Sequence, residues 1–193
     1  KGFLFMKSKI TVYHISMIAF AIVINLVGGQ IALMLKLPIY LDSMGTIFIA
    51  AVYGPFYGAM PSILSGLILG MTSDIYALYY APVGILLGML VGIVWKKKKD
   101  NLAWAFLSAL FVTIPTSLIS ACITAYLFGG ITSSGSTFIV QLLAKTPLGL
   151  TLSCFIVQLF TDYLDRIISI LLISSLLHKL PQSFIYKIKR QAD

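Results

Sequence analysis

Apolar residues run along this chain in long blocks with no polar face, and short polar or proline-glycine breaks separate them. A hydrocarbon core of about 30 Å takes about 20 residues of α-helix, so such blocks predict membrane-spanning helices. The first span is expected over residues 10–35, closed where Lys36 and Leu37 lead into Pro38, because proline cannot donate to the helical ladder and disfavours helix at the residue before it. Two shorter spans, 44–54 and 56–71, flank the turn signature Gly54-Pro55. A fourth, 81–95, is stopped by the lysine run Lys96–Lys99, and a fifth, 102–128, contains Pro115, which a membrane helix tolerates when neighbours satisfy the freed carbonyl. The last, 152–177, ends at His178 and Lys179. Between the fifth and sixth, residues 137–150 are broken by Gln141, Lys145 and Pro147 and predict a short helix at the outer surface. The expectation is an all-α membrane protein of six transmembrane helices in one domain, residues 1–193.

Small residues refine that picture. Gly84, Gly88 and Gly92 recur every fourth residue, and Gly58, Ala59, Ser62, Ser65, Gly66 and Gly70 crowd the third span. Such patterns let helix backbones approach closely, and they predict packing rather than chemistry.

Composition agrees: 59% of the residues are hydrophobic and only 10% charged, against roughly 25% charged in soluble domains. The net charge of +8 sits in clusters between apolar runs, without the aromatic-basic interleaving of a nucleic-acid surface, so nucleic-acid binding is excluded. With six spans, Lys1, Lys7, Lys9, Lys96–Lys99, Lys179, Lys187, Lys189 and Arg190 fall on one side, 11 of the 14 basic residues. The positive-inside rule makes that side, with both termini, cytoplasmic. No small-residue cleavage site follows the first apolar run, so an uncleaved first span is expected. Cys122 and Cys154 lie in apolar segments without a CxxC partner and read as packing residues.

Polar groups within a bundle are expensive unless they pair or face a cavity, which makes them site candidates. Asp162, Asp165 and Arg166 stand in the last span, with Arg166 12 residues before His178 and therefore about 18 Å from the inner boundary. Asp162 and Arg166, four apart, can pair along the helix, which leaves Asp165 to meet a cation such as Lys145 or Lys36, or a ligand. Asn25 suits interhelical hydrogen bonding, and Gln30, nearer the outside, is the better ligand candidate. Tyr40 and Asp42 follow the first span. Asp74, Tyr76, Tyr79 and Tyr80 put a carboxylate and three rings at the outer ends of the third and fourth spans, an arrangement suited to a planar heterocycle or to an interfacial aromatic belt.

Catalytic chemistry finds no support. His14 and His178 are the two histidines, both expected near cytoplasmic helix ends, and no nucleophile-base set assembles around them. There is no HExxH, no His/Cys cluster, no glutamate and no Walker A motif, so neither a metal nor a cofactor is expected and ATP hydrolysis must occur on another protein.

Three segments carry a family resemblance: Tyr40-Leu41-Asp42-Ser43-Met44-Gly45-Thr46, Tyr53-Gly54-Pro55-Phe56-Tyr57-Gly58-Ala59, and Asp165-Arg166-Ile167-Ile168-Ser169. In order and spacing the chain resembles an S component of the energy-coupling factor transporters, the vitamin-binding membrane subunits of bacteria. The resemblance implies a six-helix fold in the bacterial plasma membrane, with an outward substrate pocket capped by the loop after helix one and walled by helices four to six. It also implies partners: a transmembrane coupling protein and two cytoplasmic ATPases. The substrates it suggests are pyridoxine-related or hydroxymethylpyrimidine compounds, with pantothenate and cobalamin as relatives. Gln30, Tyr40, Asp42, Asp74, Tyr76, Tyr79, Tyr80, Gln141, Lys145, Asp165 and Arg166 are the expected substrate residues. Where that family carries AxxxA on helix one for docking, this chain has Ala19 followed by Val23 and Ala21 by Asn25, leaving Ser16, Ala19 and Ala21 as a small-residue patch.

Two other classes compete. A membrane sensor domain shares short-loop helices but expects an attached signalling domain. A membrane enzyme would rest on Asp162 and Asp165 as an acid pair, without a partner base.

Overall fold

The computed structural model describes residues 11–97 and 101–181. Among them the chain is helical with no strand: α1 Val12–Met34, α2 Met44–Tyr53, α3 Pro55–Thr72, α4 Tyr76–Tyr79, α5 Ala81–Trp95, α6 Leu102–Cys122, α7 Thr137–Leu143 and α8 Gly149–Lys179. α6 runs on through a π-helical turn, Ile123–Leu127.

Local chemistry sets these ends. Thr11 caps α1, its hydroxyl 3.5 Å from the His14 amide, and Asn101 caps α6, accepting from the Trp104 amide at 2.7 Å. Gly54, at φ 86, makes the left-handed step between α2 and Pro55, the first residue of α3. The last turn of α8 carries His178 and Lys179, where a cation complements the helix dipole. The one-turn α4 lies in what the apolar pattern reads as loop, since four residues are too few to show a period.

The small-residue pattern becomes close packing. α5 lies against α3, and a methyl group on Gly88 would run into the backbone of Gly58 and Ala59. α1 meets α2 as tightly, because a methyl on Gly45 would strike the Ala21 carbonyl. Ala21 is accordingly 0% exposed. It drops out of the expected docking patch, whereas Ser16 and Ala19 are exposed on α1. Asn25 joins three helices: its amide donates to Thr46 at 2.9 Å and reaches Ser65 at 3.5 Å, and its carbonyl accepts from the Gly45 amide at 2.8 Å. At the other end of α1, His14 is wedged between the rings of Tyr53 and Tyr57, with centroids 4.7 and 4.8 Å away.

The outer faces are apolar, with Phe20, Val23, Val27, Phe111, Leu118 and Phe160 all exposed. Two helical stretches, Val12–Met34 and Leu102–Leu127, are long and apolar enough to cross a membrane, with mean hydropathy 2.1 and 2.0. The charge pattern behind the expected topology rests largely on Lys1, Lys7, Lys9, Lys98, Lys99, Lys187, Lys189 and Arg190, which lie outside the described residues.

Because Gly88 faces backbone that cannot rotate away, Gly88→Val should destabilise the fold by about 1–3 kcal/mol, the usual cost of overpacking. Ile93→Ala, on the exposed face of the same helix, should leave stability unchanged. Thermal unfolding of the two variants in detergent checks this; equal midpoints would contradict the close α3–α5 contact.

Candidate functional site

A cavity of about 120 Å³ opens at the end of the bundle where α1 finishes and α5 begins. Its walls come from the last turns of α1, the loop after it, α3, α4, the first turns of α5, the middle of α8 and the loop 132–134. A buried water needs roughly 10–15 Å³ measured this way, so the space suits a molecule of roughly ten non-hydrogen atoms.

The roof is the loop joining α1 to α2, and a carboxylate holds it. Asp165 accepts from the Leu41 amide at 3.0 Å and from the Ser43 hydroxyl at 3.1 Å, and it pairs with Arg166 at 2.5 Å. The Arg166 guanidinium also donates to Ser43 at 2.7 Å. Asp165 is 0% and Arg166 5% exposed, so the pair is a buried one; the loop bonds both Asp165 oxygens and one Arg166 nitrogen, while the Arg166 Nε has no partner among the described residues. Leu41 sits at φ 52, a left-handed conformation that a branched side chain rarely adopts, and there its amide reaches Asp165. The same loop closes over Gly28 and receives the Gly135 amide on the Leu37 carbonyl at 3.3 Å.

This arrangement departs from the expected pairing along α8. The residue in ion-pair contact with Arg166 is its neighbour Asp165, and Asp162 accepts instead from Ser117 at 2.6 Å. Asp165 is thus a fastener of the roof and does not line the cavity. Of the expected substrate residues, Tyr40, Asp42, Asp74, Tyr76, Tyr80 and Arg166 line it. Gln30 is spent on Ser73 at 2.5 Å, and Gln141 donates to the Gly129 carbonyl at 3.3 Å. Lys145 and Tyr79 are exposed and stand outside the wall, as does Lys36.

The tyrosines are arranged around a ring that the sequence pattern did not single out. Phe128 lies 4.7, 5.3 and 6.3 Å from Tyr76, Tyr79 and Tyr80. Tyr80 shares a hydrogen bond with Thr124 at 2.6 Å, and Gln158 donates to the same hydroxyl. Thr124 belongs to the π-helical turn, a distortion often found at functional sites. Thr113, Ser117 and Ser120 on α6 and Thr124 in the π-helical turn recur at spacings of four, three and four, all buried. That stripe of hydroxyls is a sequence signal for a polar seam, and it marks the partners of Asp162 and Gln158.

Asp74 is held in place by the Tyr76 amide at 3.2 Å and the Ser133 hydroxyl at 2.7 Å. Among the described residues, Asp42 takes a hydrogen bond from its own backbone N–H and none from another residue. Burial, and then the Asp165 carboxylate, push Asp42 from 3.8 up to about 6, against the opposing pull of Arg166 and with a smaller push from Asp162. Burial likewise pushes Tyr40 up to about 12, so this phenol keeps its proton.

No protein family, curated protein or solved structure matches this chain. The chemistry of the site is therefore read from its own residues. The cavity presents carboxylates, hydroxyls and tyrosine rings among apolar side chains, groups able to hydrogen-bond and stack on a small molecule.

Asp165→Ala should cost about 3–5 kcal/mol, since it leaves the Arg166 charge buried without its counter-ion. It should also speed tryptic cleavage after Lys36 as the roof loop loosens. An unchanged unfolding midpoint and cleavage rate would remove Asp165 from this role.

Because the folded state raises the Asp42 value, Asp42 favours folding most below about pH 4 and that contribution is lost as pH rises through about 6. Asp42→Asn should accordingly raise the unfolding midpoint at pH 7.5 by about 2–4 °C per kcal/mol recovered. At pH 4 the gain should vanish. A gain of equal size at both pH values would show that ionisation is not its cause.

Proposed function

We propose that this chain is a six-span protein of the bacterial plasma membrane, with both termini cytoplasmic, that captures a small water-soluble nutrient for import. The observation that carries this reading is the roofed cavity at one end of an apolar-skinned helical bundle, with carboxylates, hydroxyls and tyrosines set among its apolar wall residues. Lipid is the solvent that such a skin fits, and a polar space inside it is stable only where it holds water or a ligand. The roofing of the cavity by the loop after α1 supports the likeness to an S component of an energy-coupling factor transporter.

In that role the chain binds and releases, while a transmembrane coupling protein and two cytoplasmic ATPases supply the energy. Ser16 and Ala19 on the exposed face of α1 are the small residues left for docking. Cavity size favours the pyridoxine-related and hydroxymethylpyrimidine compounds over cobalamin, which is several times too large for about 120 Å³.

Native mass spectrometry of the detergent-purified chain, followed by calorimetric titration with pyridoxine, hydroxymethylpyrimidine, pantothenate and cobalamin, tests this reading. A single small ligand bound one-to-one is expected. Binding lost on Tyr80→Ala and kept on Tyr79→Ala would locate it in the cavity, whereas a chain that holds none of the compounds would speak for a sensor.

A further inference from the structure

The cavity has a charge that its size and position do not imply. Asp42, Asp74 and Asp162 line it, and Arg166 is the cationic side chain in its wall. Arg166 is already compensated by Asp165 at 2.5 Å. With all of these groups ionised, three carboxylates remain without a cation. The expected helpers Lys36 and Lys145 are exposed and outside the wall, so they do not offset this charge.

Asp162 sharpens the point. It is 3% exposed, and one of its oxygens accepts from Ser117 at 2.6 Å. The other oxygen has no hydrogen-bond partner among the described residues and is not sealed within protein. A buried carboxylate oxygen left open to a cavity is costly unless something in that cavity donates to it. Asp42, in the roof loop, lines the same cavity and takes no hydrogen bond from another described residue, so the cavity presents both carboxylates to a donor. The rings of Tyr76 and Tyr80 complete the wall, and aromatic faces also attract cations.

Resting on the capture reading above, the geometry points to a small organic cation as the ligand: a protonated amine or amino-substituted heterocycle of roughly ten non-hydrogen atoms, bound through Asp162 and Asp42. Carboxylates and phosphate esters are repelled. A neutral analogue of the same ring binds, but leaves the open oxygen of Asp162 without a charged donor.

The test is titration of the purified chain in lipid nanodiscs at pH 7.5 with compounds sorted by charge. Pyridoxamine, thiamine and choline are the cations, pyridoxine and hydroxymethylpyrimidine the neutral members, and pyridoxate and pantothenate the anions. A cation is expected to bind at least about 10-fold tighter than any neutral member, as for a charged in place of a neutral hydrogen bond, with the anions not binding. Asp162→Asn keeps the shape and the Ser117 contact, and should weaken that cation about 10- to 100-fold while shifting a neutral ligand far less. Asp42→Asn serves the same purpose if Asp162→Asn fails to fold. A neutral or anionic member binding as tightly as any cation overturns the charge assignment and leaves the capture reading standing. A folded chain that binds none of the seven overturns both.

Discussion

The arrangement depends above all on one buried ion pair. Asp165 and Arg166 are adjacent and buried on α8, and buried charges are costly unless paired and hydrogen-bonded. Much of the compensation comes from 122 to 124 residues away in the chain, where the Leu41 amide and the Ser43 hydroxyl bond to Asp165 and the Ser43 hydroxyl accepts from Arg166. The loop after α1 is thereby bound to the middle of the last helix, even at the expense of a left-handed leucine. A roof of this kind is fixed by charge, so its position is set far more narrowly than apolar packing alone would set it.

Beneath that roof, two different kinds of helix contact divide the bundle. α1, α2, α3 and α5 meet through small residues, with Gly45 against Ala21 and Gly88 against Gly58, and Asn25 ties three of them together. α6 and α8 meet through a seam of hydroxyl, amide and carboxylate groups, Ser117 to Asp162 and Thr124 to Gln158. The cavity lies where these two halves come together. The first half supplies most of its wall, including Ser62, Ser65, Gly66 and Gly84, and the second half adds Ser120, Asp162 and Arg166.

The tyrosines show how one residue type divides its roles by position. Tyr80, between α4 and α5, is drawn into the wall through Thr124, and Tyr76, at the start of α4, lines the same cavity. Tyr79, packed on the same Phe128, faces outward. Three rings that look equivalent as a run of aromatics are thus divided by the end of α4 at Tyr79 and the turn through Tyr80 into α5.

Helix positions were legible from composition alone, because apolar block length, proline, glycine and lysine runs act within a few residues of one another. The helices expected at 44–54, 56–71 and 81–95 coincide with α2, α3 and α5 to within a residue or so. The glycine contacts of α5 could be anticipated for the same reason. Partners could not. Whether Asp162 or Asp165 takes Arg166, whether Ala21 faces a partner protein or Gly45, and whether Gln30, Gln141 and Lys145 reach a ligand all depend on which helix faces meet. That is a property of contacts between residues distant in the chain. The local pattern named the polar residues that a membrane bundle must account for; only the packed helices decided which of them fasten the roof, which satisfy one another and which are left open to the cavity.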